Sequence, residues 1–131
     1  MDLLQLESIV TTQLKVKVPK LTDNQYPGLS FSNEVSDTTP SFPNVYIHEL
    51  EPTELGNDIA NNQIHALRDT IQIEVSTNTS KSDARTVIMA CVNAMKSLRY
   101  SLVVAPIYTK INNVHRFVIR CRRIVASGDT F

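Results

Sequence analysis

The chain has 131 residues, 42% hydrophobic and 20% charged, with 13 basic and 13 acidic side chains and a formal net charge of zero. That size suits one domain over 1–131 with one core, in the ordinary composition range of a soluble globule. The neutral balance speaks against a strongly basic nucleic-acid binder, and the lack of any run of about 18 apolar residues excludes a membrane-spanning helix.

In chain order, the first segment reads as a helix. Asp2 is a candidate cap, and Leu3, Leu6, Val10 and Leu14 recur at helical steps, with Leu4 and Ile9 widening the stripe. Pro19 pushes Val18 out of helical space, so the helix is expected to end before it, with Lys15–Val18 already extended. The opening MDLLQLESIV has no basic stretch leading into an apolar block, so no signal peptide is expected. Residues 20–41 are polar and punctuated by Pro27, Gly28 and Pro40, which predicts a long loop. Its anchors are Tyr26, Leu29 and Phe31, which either pin it to its own domain or dock on a neighbouring subunit.

Phe42–Glu49 predicts the first sheet strand, with Val45 and Ile47 on one face and Tyr46 and His48 on the other. A second loop is expected over 51–63, carrying the acids Glu51, Glu54 and Asp58. The next strand runs from Ala66 to Ser76, where Ile71, Ile73 and Val75 alternate with Gln72, Glu74 and Ser76. Thr79 or Ser80 then caps a long helix with Asp83 in its first turn, where the helix dipole favours an anion. Ala84, Val87, Ile88, Cys91, Val92, Met95 and Leu98 form its apolar stripe, while Lys81, Arg85, Asn93 and Lys96 fall on other faces.

Tyr100–Ile111 and Val114–Val125 predict a hairpin around Asn112-Asn113, because Asn tolerates the left-handed conformation of a type I′ turn. That register sets Tyr108 against Phe117, Ile107 against Val118 and Thr109 against Arg116. Val104, Tyr108, Phe117, Ile119 and Cys121 then face the helix, and Pro106 belongs on a sheet edge. The pair Arg122-Arg123 breaks the alternation and predicts a bulge. Residues 127–131 form a short tail, expected to be mobile. The fold class is therefore α+β: a four-stranded, mostly antiparallel sheet packed by one long helix, with an additional N-terminal helix.

No catalytic, cofactor or metal motif is found. Three scattered glycines cannot build a phosphate loop, and His48, His65 and His115 lack metal-ligand spacing. His48, Glu49 and Glu51 are adjacent, but successive strand residues point to opposite faces. Cys91 and Cys121 lie in apolar stripes and read as reduced, buried thiols. Charge, however, is divided. Residues 1–63 hold three basic and nine acidic side chains, and residues 64–131 hold ten and four. Unlike halves of this kind suit either internal matching or head-to-tail association of copies. The strongest charged feature is Arg116, Arg120, Arg122 and Arg123. Three readings are open for it: a solvated sheet face, a surface for the acidic loop (Glu51, Glu54, Asp58) of a neighbouring chain, or a lumen past which DNA moves.

The order helix, loop, strand, loop, strand, long helix, hairpin resembles that of bacteriophage tail terminator (tail completion) proteins. FPNVYIHEL resembles that family's first strand, IQIEVSTNTSKSDARTVIMACVNAMKSLRY its strand, polar cap and long helix, and INNVHRFVIRCRRIV its arginine-bearing last strand. The resemblance spans about 90 residues, Phe42 to Val125, and lies in pattern more than strict motif. It implies a non-enzymatic virion protein that assembles in the host cytoplasm as a hexameric ring on the head-proximal end of the tail. Its partners would be further copies of itself, the tube protein, a neck or head-completion protein and, without sequence specificity, passing DNA. The alternatives are another neck component, such as a head-closure or connector protein, or a small nucleic-acid-binding or enzymatic α+β domain.

Overall fold

The computed structural model describes residues 6–33, 41–54 and 66–126. Its elements are α1 (Leu6–Leu21), β1 (Ser30–Ser32), β2 (Asn44–Glu54), β3 (Ala66–Thr77), α2 (Lys81–Ser97), β4 (Ser101–Ile111) and β5 (Val114–Ala126). The strands form one sheet in the order β1-β2-β3-β5-β4. β1 runs parallel to β2, and every other pairing is antiparallel. The architecture is α+β, with two helices on a five-stranded mixed sheet. The fifth strand, β1, is three residues long and carries no alternation to read. It is laced to the start of β2 by Ser30 N–H donating to the Pro43 carbonyl (2.9 Å) and Ser41 Oγ donating to the Gly28 carbonyl (2.7 Å). Gly28 sits there because a Cβ would lie 2.6 Å from the Phe42 carbonyl oxygen.

The core lies between one face of the sheet and both helices. Val45 and Ile47 of β2, Ile71, Ile73 and Val75 of β3, and Phe117, Ile119 and Cys121 of β5 meet the expected stripe of α2. α1 adds Val10, Leu14 and Val18, all fully buried. Full burial of one such aliphatic side chain contributes about 1.5–3 kcal/mol before entropy is counted. Tyr26, Leu29 and Phe31 pack against this same core, so the loop anchors hold the segment to its own domain. The Tyr26 hydroxyl also reaches the Asp83 carboxylate at 3.3 Å. Ser80 is the cap of α2, its Oγ accepting from Asp83 N–H at 3.1 Å, and Thr79 Oγ1 donates to the Asp83 carboxylate. These hydroxyls, the Thr79 bond foremost, hold the Asp83 carboxyl below its ordinary range. Both cysteines are free and buried. Burial and then the nearby Cys121 raise the Cys91 thiol, and burial pushes Cys121 up to about 11.

The sheet has five strands where four were expected, because β1 forms within residues 20–41, expected to be a loop throughout. Three further expectations are corrected. α1 does not stop before Pro19, and Lys15–Val18 is helical. Val18 completes the buried stripe one turn beyond Leu14, and Thr22 satisfies the helix end by donating to the Val18 carbonyl from both N–H and Oγ1 at 3.1 Å. Second, β2 continues through Glu51 to Glu54, paired with β3, so the second loop does not begin at residue 51. A register shift between Leu50 and Thr53 lets the strand continue past Pro52. Third, no bulge falls at Arg122-Arg123, where β5 pairs with β3 without a break. The irregularities instead lie on the edge strand β4, one between Leu102 and Val104 and one between Val104 and Ile107, the second spanning Pro106. The turn itself forms as expected, with Asn112 and Asn113 at φ of 49° and 66°, and the three pairs from Tyr108↔Phe117 outward are in the anticipated register. Asp2, Leu3, Leu4 and Asp58, and the tail 127–131, lie outside the described residues.

Candidate interaction surface

Among the described residues, both helices pack on one face of the sheet and no element covers the other. On that outer face β4 presents Val103, Ile107 and Ile111, exposed by 48%, 54% and 63%, and β5 adds Ile124 at 55%. β4 is also an edge strand, and no described strand pairs with its outer side. An exposed edge with an apolar row beside it is a ready template for another chain.

The arginines divide by strand parity. Arg116, Arg120 and Arg122 share the outer face, as expected. Arg116 donates to Glu74 across the β5–β3 ladder at 2.6 Å, and Arg120 Nε donates to Gln72 at 2.9 Å. Their neighbours on β3 therefore engage these two within the sheet, while Arg122 is exposed. Because β5 has no bulge, Arg123 turns to the opposite face, where it is only 7% exposed and donates to the Leu98 carbonyl at 3.0 Å.

Arg123 belongs to a buried polar cluster that the sequence reading missed. Asp69 stands opposite it in the β3–β5 register and is fully buried. Tyr100 donates its hydroxyl to Asp69 Oδ2 at 2.5 Å. Burial, and then the neighbouring Asp69 charge, raise the Tyr100 phenol, so it keeps its proton and remains a donor. Glu49 approaches from β2, and its backbone N–H donates to the Glu7 carboxylate of α1 at 3.2 Å. Burial first, then a hydrogen bond with Asp69 and the Asp69 and Glu7 charges, push the Glu49 carboxyl up to about 8. Asp69 Oδ1 is buried and has no hydrogen-bond partner among the described residues. The signal in sequence was Asp69 itself, an acid at an inward position of a buried strand. The cluster ties α1, β2, β3, β5 and the end of α2 together; among the described residues no group of three or more His, Cys, Asp or Glu side chains is arranged to hold a metal ion.

Beside this cluster the sheet surface is notched. A cavity of about 460 Å3 is lined by Arg68, Arg99, Ser101, Arg122, Arg123 and Ile124. Four of the six are arginines, and none is acidic. Arg99 enters it from the end of α2 with φ of 68°, the left-handed conformation that favours glycine. It closes a Schellman cap in which Tyr100 N–H donates to the Met95 carbonyl and Arg99 N–H to the Lys96 carbonyl, both at 3.0 Å. The acids proposed to face the arginines are not placed against them here: the side chains of Glu51 and Glu54, and all of Asp58, lie outside the described parts.

No protein-family model matches the chain, and no curated protein matches it. Among solved structures, a similarity is found to a "Cs H-NOX mutant with unnatural amino acid 4-cyano-L-phenylalanine at site 5", at a TM-score of 0.31 and 11% identity, covering 98% of this chain and 48% of that one. The chain thus spans about half the length of that structure, and a likeness this distant carries no argument about fold or function. No helix of the described residues is long and apolar enough to cross a membrane.

Proposed function

We propose that the chain is a structural virion protein of the tail-terminator kind, which caps the phage tail tube as a ring, stops its polymerisation and offers the surface that joins the head. The observation that carries this reading is the outer side of the sheet, where no described strand pairs with the β4 edge and Val103, Ile107 and Ile111 are exposed. A rigid helix-backed sheet with unlike edge strands, β1 and β4, is suited to work by docking, since a ring needs two unlike surfaces on each copy. The acidic first half and basic second half of the chain supply unlike charge for the same purpose. In this reading no chemical step is performed. The partners are further copies of the chain, the tube protein, a neck protein and passing DNA, with Arg116, Arg120 and Arg122 toward a neighbour or the lumen.

Mass measurement by light scattering, alone and with purified tube protein, tests it. A ring of about six copies, formed free or on the tube, is expected. A chain that stays monomeric in the presence of tubes and leaves their growth unchanged would contradict it. Tubes of normal length that fail to join heads would favour the alternative of a head-closure or connector protein.

A further inference from the structure

The arginine notch exists because two paired strands differ in reach. β4 begins at Ser101, opposite Arg122, whereas β5 runs on to Ala126. Residues 124–126 of β5 pair with β3 on one side, and on the other no described strand meets them. At the strand rise, residues 124–126 leave about 10 Å of edge that no described strand pairs, enough for a short added strand. Backbone donors and acceptors along that edge alternate with side-chain positions, and the surrounding side chains are Arg68, Arg99, Arg122 and Arg123.

We propose that this notch is a binding site for an extended, acidic segment of a partner protein chain. The segment adds a strand to the free edge of β5 through main-chain hydrogen bonds, and its carboxylates meet the guanidinium groups of Arg99, Arg122 and Arg68. The lining favours a peptide over a nucleic acid. A polynucleotide makes no use of a strand edge, and single-stranded binding sites stack bases on aromatic side chains, of which there is none among the described lining residues. None of the six lining residues is acidic, and arginine forks suit bidentate carboxylates. The backbone of Arg99 points the same way. Arg99 brings its side chain to the notch from a left-handed backbone position that glycine would occupy with less strain. The site stands on a different strand edge from that of β4 and shares only Arg122 with the face proposed to meet a neighbour; Arg99 and the main-chain bonds belong to the notch alone.

The test is fluorescence anisotropy with the 131-residue chain and a labelled hexapeptide of alternating Glu and Thr. A second hexapeptide of the same charge, N-methylated at alternate residues, cannot complete the main-chain bonds. Oligothymidylate of matched charge is the third probe. The proposal expects salt-sensitive binding of the first peptide, weakened about ten-fold or more by N-methylation and by each of Arg99→Gly and Arg122→Gln. Both positions are exposed, so the variants keep the fold, and the N-methylated arm needs no variant at all. Equal binding of the two peptides, oligothymidylate binding as tightly as the first peptide, or no peptide binding would overturn it.

Discussion

The Tyr100 hydroxyl donates to the buried Asp69 carboxylate at 2.5 Å, joining the turn after α2 to the middle strand of the sheet. Asp69 is wholly buried, so its charge is tolerable only through such donors. Tyr100→Phe is expected to cost about 1–3 kcal/mol of stability, read as a lowered midpoint in urea with an unchanged slope. Tyr108→Phe, whose hydroxyl meets the half-buried His115 at 2.8 Å, should cost less. Equal losses would mean that the Asp69 contact is no stronger than a surface one.

Glu49 makes stability depend on pH. Its carboxyl is raised from an ordinary carboxylate value to about 8, so between these values the folded state holds a proton that the unfolded chain releases. Stability from this group is therefore complete at low pH and is lost as pH rises toward and through about 8. Glu49→Gln should flatten that decline and raise stability above pH 8 relative to the parent, measured by urea unfolding across the range. A decline of unchanged slope in the variant would assign it to another group.

Arg99 gives the opposite sign. Its φ of 68° is strained for any residue with a Cβ, by about 1 kcal/mol. Arg99→Gly is thus expected to raise the thermal midpoint by a few degrees while it weakens binding in the notch. A fall in the midpoint would show that the side chain stabilises the cap itself.

Charge reversal separates folding from assembly. Arg122 is exposed, and Arg120 has one neutral partner, Gln72. Replacing both by Glu should change stability by no more than about 0.5 kcal/mol each, the range of ordinary surface substitutions. If they face an acidic neighbour, the same change should reduce the ring fraction seen by light scattering. Unchanged assembly would remove that role from them.

Much of the fold was legible because periodicity was undisturbed. The α2 stripe repeats without interruption, and Ile71, Ile73 and Val75 alternate cleanly, so both elements appear where their patterns place them. Asn112-Asn113 set the hairpin register locally, but the register drifts beyond Ile107 because extra residues on β4 are accommodated around Pro106. What was hidden depended on contacts between distant residues. Pro19 disfavours helix by its covalent geometry, yet burial of Val18 and the bonds from Thr22 hold the turn together. Arg123 looked like the break in a pattern, while its place was already prepared by Asp69 and the end of α2, far away in sequence. The notch has no motif of its own, since it arises from the unequal ends of β4 and β5.

The central claim is that this chain acts by capping a tube through its open sheet edge, and the tail-length distribution of particles assembled without it tests this most directly. Electron microscopy should show tubes that overrun their normal length and carry no head. Tubes of normal, uniform length would contradict the account.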